Sequence, residues 1–452
     1  MTLPPPVLPK EKRRAFAWEV IPVLLLAALV WFLMYVAFRA AQFGWTASNL
    51  PQERAAARRE KIPLSPADLR RRPPVPAAQN AAPLYRRIAA ALNRRAINDD
   101  EKALDALRKP TRTETDREAA RRVLARRKPL LDLAERAAAL PHCDFQRPYE
   151  KGAAVEFPEY VALRHAARLL AAQATLESDA DQPQKAFATV AVGARIATHV
   201  GEDTTLITML VQIAIRALMD RTYHTVLRAH YDKPGIVALA EQTERAFGAK
   251  PDLLHALGGE VVLATATCEQ MRTGILPRSE DDAGGLPPKS PAWVVNGWEA
   301  NLLSSWREVF RNLRRVGNAD PLAQYTILQA KGRAFKSAGG NLDNVIAALS
   351  FPVFDNAPLK IAHEDMQRQL RKTAVVLVAY RQKTGRYPER LAELPVPPTP
   401  DLFTGKPFIY RRKDDGFLLY SVGTNFKDDG GRAKSTRVSG PDDTDIVVNY
   451  AD

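Results

Sequence analysis

The chain has 452 residues, 46% of them hydrophobic, with two cysteines and a formal net charge of +14 at pH 7. That length and apolar content suffice to bury a sizeable core in two or three domains, and two cysteines exclude a disulfide framework or a paired-cysteine metal site. The basic surplus favours an anionic partner, such as a lipid surface, an acidic envelope polymer or nucleic acid. It is unevenly placed: from Asp414 to Asp452 there are eight Asp, no Glu and four Lys/Arg, a net of −4, so the first 413 residues carry +18.

In chain order, residues 1–19 read as a basic cytoplasmic tail carrying Lys10, Lys12, Arg13 and Arg14. Residues 20–38, "VIPVLLLAALVWFLMYVAF", are free of charge. At about 20 residues per bilayer crossing this predicts one transmembrane helix. The run is longer than a cleaved signal's apolar core and is followed by Arg39, so an uncleaved signal anchor is expected. No basic residue then occurs until Arg54, and the positive-inside bias keeps the N-terminus cytoplasmic and the bulk outside. The expected location is the bacterial inner membrane, single-pass, with membrane lipid as a partner and the body in the periplasm.

Residues 39–77, which run into the proline-rich "RRRPPVPAAQ" of residues 70–79, read as a linker because proline disfavours helix. Residues 78–350 read as a helical domain. Leu84, Ile88 and Leu92 form one apolar stripe, and a long helix is predicted from about Thr115 to Leu140. "EYVALRHAARLLAAQATLE" is the next helix; Asp181 is expected to cap the one after it with Gln184 as its box partner, and Gly201 to end it. Thr204 or Thr205 then opens a helix containing "LITMLVQIAIRALM", too short and too polar to span a bilayer and expected to be buried. Helices over 236–247 and 253–271 complete a bundle or solenoid-like array without a strict repeat. "RSEDDAGGLPPKSP", residues 278–291, is a polar loop, and Trp293, Trp298 and Trp306 beyond it read as core aromatics rather than a ligand groove.

Residues 351–452 change character. A helix from Pro358 to Thr384 is closed by Gly385; "FIYRR" and "FLLYSV" alternate around "KDDG", a hairpin signal, and "DIVVNY" supplies a third strand. The chain is thus expected to be mainly α, with a small α+β C-terminal unit of one long helix and an antiparallel sheet.

No GxSxG, P-loop, Rossmann glycine pattern or HExxH is present. "HCD" at His142–Asp144 sends adjacent side chains to different faces. Glu156, Glu159, Glu202 and Asp203 are the carboxylates that could meet in a groove as an acid/base pair, although capping and solvation explain them more simply. The Arg clusters lack interleaved aromatics and a reading motif, so nucleic acid is not an expected partner. Cys143 and Cys268 read as separate buried thiols, with pairing as the alternative. No catalytic residue is assigned; the expectation is a non-enzymatic protein.

The order of helix, "AYRQKTGRYPERLAEL", "FTGKPFIYR", "GFLLYSVGTNFKDDGG" and "DDTDIVV" resembles the C-terminal domain of the type II secretion major pseudopilins over about the last 95 residues. The resemblance implies a calcium ion in the loop after the hairpin, held by Ser421 through its carbonyl, Asn425 where the family has Asp, and Asp445, with Asp443 just before it and Asp428 and Asp429 between. Calcium takes hard oxygens from carboxylates and carbonyls, which is the chemistry this loop offers. The resemblance also implies secretion or pilus-like assembly proteins as partners. Over 300 residues separate the apolar run from this tail, so a borrowed domain is expected rather than a filament subunit. A peptide-binding helical solenoid and an envelope hydrolase are the alternative functions.

Overall fold

A computed structural model describes residues 29–34, 41, 44–71, 73–107, 109, 111–274, 289–318, 320–337, 356–432 and 445–450. The expected membrane helix falls outside these residues except for 29–34, and the expected loop at 278–291 is described only from residue 289. Helix makes up 69% of the structure, with one three-stranded antiparallel sheet near the C-terminal end. No helix among the described residues is long and apolar enough to cross a membrane.

The helices are α1 (Leu50–Arg59), α2 (Pro66–Leu69), α3 (Ala82–Ala90), α4 (Arg94–Ala106), α5 (Glu114–Ala138), α6 (Glu159–Asp179), α7 (Pro183–Val200), α8 (Leu206–Ala229), α9 (Ile236–Ala246), α10 (Leu253–Thr273), α11 (Ala292–Val316), α12 (Pro321–Ser337) and α13 (Ala357–Thr384). Their ends follow local chemistry. Thr113 and Asp116 form a reciprocal capping box at the start of α5, and Asp252 accepts from the Leu254 and His255 amides at the start of α10. Of the two threonines that could open α8, Thr205 does so, its hydroxyl accepting from the Thr208 amide. Gly385 closes α13 in the left-handed region at φ 78°. The cap expected at Asp181 does not form. Asp181 takes φ 61°, its carboxylate faces Lys233, and Pro183 fixes the first turn of α7 without a side-chain cap.

The stretch read as a linker is partly docked. Arg54 of α1 forks onto Glu299 of α11 at 2.7 and 2.9 Å, and Arg307 reaches Glu53 and Glu60 at 2.7 Å each. Residue numbers rise together along both helices, so α1 and α11 run parallel. Ala57, fully buried, packs in the same seam.

Helix α6 packs on α3, α5, α7 and α8, not only on its neighbours in sequence. Solenoid repeats touch adjacent repeats alone, so the architecture is a bundle. Two apolar cores run through it. One joins α3 and α5–α9 to α13 and the sheet; the other joins α1, α10 and α11. Helices α8 and α13 contribute to both and tie them together. Cys143 and Cys268 are free, buried thiols, one in each core.

The sheet has the order β1 (Ile409–Lys413), β2 (Gly416–Ser421), β3 (Ile446–Asn449), with Tyr410 opposite Leu419 and Leu419 opposite Val448. Asp414 and Asp415 make the two-residue hairpin turn, Asp414 at φ 36°. Every residue of the central strand is buried, against α13 on one side. The core is therefore continuous across residue 351, from bundle to tail.

Candidate functional site

Three features carry candidate function: the acidic loop of the tail, the apolar N-terminal segment, and a polar cleft in the bundle.

In the tail, the carboxylate of Asp445, 4% exposed, accepts from the Asp429 amide at 3.2 Å and the Gly431 amide at 2.7 Å, which closes the 429–431 turn against β3. Gly430 and Gly431 take φ 76° and 77°, a region glycine enters without steric cost. Asp428 accepts from the Tyr420 hydroxyl at 2.9 Å and the Gly430 amide at 2.8 Å, and the Asn425 amide donates to Asp429 at 2.8 Å. Burial pushes the Asp445 carboxyl above its usual range; the two amide bonds oppose this, and the charges of Asp429 and Asp428 add to it.

Asn425, Asp428, Asp429 and Asp445 thus belong to one loop. Ser421 is fully buried at the end of β2, its hydroxyl accepting from the Gly423 amide. Asp443 lies outside the described residues. The oxygens are the hard donors calcium takes, but both of Asp445's and one of Asp428's already accept hydrogen bonds, and no three His, Cys, Asp or Glu among the described residues stand close enough to hold a metal. The described carboxylates do not assemble a metal site by themselves. Asp401, which sequence reasoning missed, also shapes this region: 2% exposed, it accepts from the Phe403 and Val422 amides. Its only signal was an Asp before the "FTGK" turn.

At the other end, residues 29–34 are helical, and Leu29, Val30, Trp31, Phe32, Leu33 and Met34 are between 47% and 73% exposed. Trp45, further along, is 70% exposed. Trp306 is buried in the core, whereas Trp293 is exposed and Trp298 is half-buried.

In the bundle, the candidate carboxylates meet around an arginine. Arg147, its side chain 4% exposed, donates to Asp203 at 2.9 Å and Glu159 at 2.8 Å, with its guanidinium 4.3 Å from the Phe145 ring centroid and 5.1 Å from that of Tyr160. Tyr160 donates to the same Asp203 oxygen at 2.5 Å, and Tyr149 lies 3.4 Å from the other. Glu159 and Asp203 are therefore partners in one buried clamp, not a free acid and base. Glu156 enters only through its carbonyl, which accepts from Arg147. In the "HCD" run, Cys143 is buried and its amide donates to Glu202, while the Asp144 side chain accepts from the Gln146 amide.

Beside the clamp lies a cleft of about 180 Å³ between the end of α7 and the start of α10. Glu202, Gln212, Lys250, Asp252 and His255 line it, with Gly201 against Gln212. Burial raises the Glu202 carboxyl above its usual range, opposed by the Cys143 amide and by Arg71 at 2.9 Å.

No family model matches the chain, and neither a curated protein nor a solved structure matches it.

Proposed function

We propose that this is a non-enzymatic, single-pass membrane-anchored envelope protein whose helical body holds a pseudopilin-like tail in fixed orientation for docking to a secretion or pilus-like assembly. The observation that carries the anchor is the helical stretch Leu29–Met34, apolar on all sides and exposed throughout. An all-apolar helix surface is favourable in hydrocarbon and costly in water. It lies within the uncharged run of residues 20–38, long enough to cross a bilayer.

The tail supports the docking part. No strand among the described residues pairs with the outer edge of β1, and Arg411, Arg412 and Lys413 on that strand are exposed. Charged edge residues suppress strand pairing, so a partner would meet these basic side chains rather than add a strand, and an acidic surface is their complement. Calcium enters this reading only if Asp443 joins Asp428, Asp429 and Asp445, the ion then offsetting the mutual repulsion of clustered carboxylates.

A reporter fused after Asp452 tests the topology. Activity confined to the extracytoplasmic side is expected; a reporter active in the cytoplasm would overturn the reading.

A further inference from the structure

We propose that the cleft between the end of α7 and the start of α10 binds a short extended peptide, pairing one of its backbone amides with the Gln212 side chain and drawing in a Lys or Arg side chain. The proposal stands independently of the membrane anchor and of the tail.

Gln212 is the observation that points to a ligand. It sits on α8, is 6% exposed and lines the cleft. Its amide makes no hydrogen bond to any described residue, whereas Thr205 and Thr208 near it on the same helix are bonded. Neither polar atom of this amide is among the described side-chain atoms that are shut off from solvent without a partner, so the amide opens onto the cleft and is available to a ligand. A carboxamide offers donors and an acceptor side by side, the complement of a peptide N–H and C=O. The chain makes room for it: a Cβ at Gly201 would come within 2.4 Å of the Gln212 Nε2 and 2.7 Å of its Oε1.

Charge selects the side chain. One oxygen of Glu202 takes the Cys143 amide and Arg71, and the other makes no hydrogen bond among the described residues. At the rim, one oxygen of Asp252 caps α10 and the other makes no hydrogen bond among them. Lys250, the cation on this rim, is turned away onto Asp365 at 2.5 Å. Beside the His255 ring, the cleft thus presents one open carboxylate oxygen each from Glu202 and Asp252, and a cationic side chain fits these two. Its size fits as well. About 180 Å³ is below the roughly 300–1,000 Å³ of pockets that enclose a cofactor-sized ligand, so a side chain and its flanking amide fill it.

The test is fluorescence anisotropy on the full-length protein in detergent, with a labelled Gly-Gly-Lys-Gly-Gly peptide and the same peptide carrying Glu in place of Lys. Saturable binding of the lysine peptide is expected, at least tenfold tighter than the glutamate peptide. Gln212→Leu, which removes the amide and keeps the bulk, should weaken binding at least tenfold. Hydrogen exchange on the unaltered protein supplies a readout that does not depend on the variant folding: the lysine peptide should slow exchange in residues 198–212 and 249–256. Absence of saturable binding, equal binding by Gln212→Leu, or protection confined to other segments would overturn the proposal.

Discussion

Arg216 of α8 and Glu364 of α13, 148 positions apart in the sequence, meet at 2.6 Å in the interior with side chains 1% and 4% exposed. Arg216 also donates to the Phe247 and Ala249 carbonyls at 2.6 and 2.9 Å. About two helical turns further along α13, Arg371 bonds Glu244 at 2.5 Å and also Asp220, with its guanidinium 3.8 Å from the Phe247 ring centroid. Burial works against the Arg371 charge, and Asp220 and Glu244 more than offset it, so its pKa lies above the ordinary arginine value. These pairs clamp the tail's long helix to the bundle, and they are why the sheet is held in a fixed orientation.

Breaking one side of a buried pair leaves an uncompensated charge, which typically costs about 3–5 kcal/mol, whereas replacing both partners by apolar groups is far milder. Glu364→Ala should therefore lower unfolding free energy by about that amount, and Arg216→Met combined with Glu364→Leu should recover most of it. Denaturant unfolding of the single and double variants checks this. A double variant as unstable as Glu364→Ala would mean that packing, not charge, dominates the contact.

Gly259 of α10 passes so close to the turn before α8 that a Cβ there would stand 1.2 Å from the Thr204 carbonyl oxygen. No rotamer relieves a clash with backbone, so Gly259→Ala must push α8 and α10 apart. Its neighbour Gly258 faces only the Pro63 ring at 3.0 Å. Gly259→Ala should cost more than about 3 kcal/mol or prevent folding, and Gly258→Ala should cost about 1 kcal/mol or less. Thermal unfolding of the pair decides it, and similar melting of the two variants would contradict the packing.

Much of this architecture is legible in the residues. Apolar periodicity marks α6, α8 and α13, and Gly385 marks the end of α13, because each is a local signal that the tertiary fold agrees with; "KDDG" marks the hairpin, although its turn pair is Asp414–Asp415 and Gly416 opens β2. What the sequence hides is non-local. Nothing near Arg54 or Arg307 announces that α1 docks on α11, and prolines nearby point to a tether. Asp181 looks like a cap but is claimed by Lys233, 52 residues on. The acid-rich carboxylate set reads as a possible catalytic pair until Arg147 is seen between Glu159 and Asp203. Gln212 shows in the sequence only as a polar residue in an apolar run; that its amide has no hydrogen-bond partner among the described residues is a tertiary fact.

The histidines set the acid limit. His199 lies between the Tyr85 hydroxyl at 2.8 Å and the Leu140 carbonyl at 3.0 Å. Burial lowers its pKa to about 4, with the Leu140 bond opposing and His142, Arg195 and Arg71 adding to the drop. Burial likewise lowers His165 and His224. The unfolded chain takes up these protons near pH 6.5 and the folded chain does not, so stability falls as pH drops from about 6.5 to 4. His199 alone contributes a loss on the order of 3 kcal/mol over that window. His199→Gln should flatten the slope of unfolding free energy against pH; an unchanged slope would place the acid sensitivity elsewhere.

The tail loop predicts a cation response. Because its core is continuous with the bundle, the full chain is the material to test. If Asp443 joins the loop carboxylates, millimolar calcium should raise the melting temperature relative to excess chelator, and Asp443→Asn should abolish the difference. Identical melting curves with calcium and chelator would remove calcium from the account.

The most direct test of the anchor is extraction of native membranes with alkaline carbonate, comparing the full chain with one that lacks residues 1–41. The full chain should remain in the membrane pellet and the shortened chain should not. Release of the full chain into the supernatant would contradict the reading of Leu29–Met34 as part of a lipid-embedded helix.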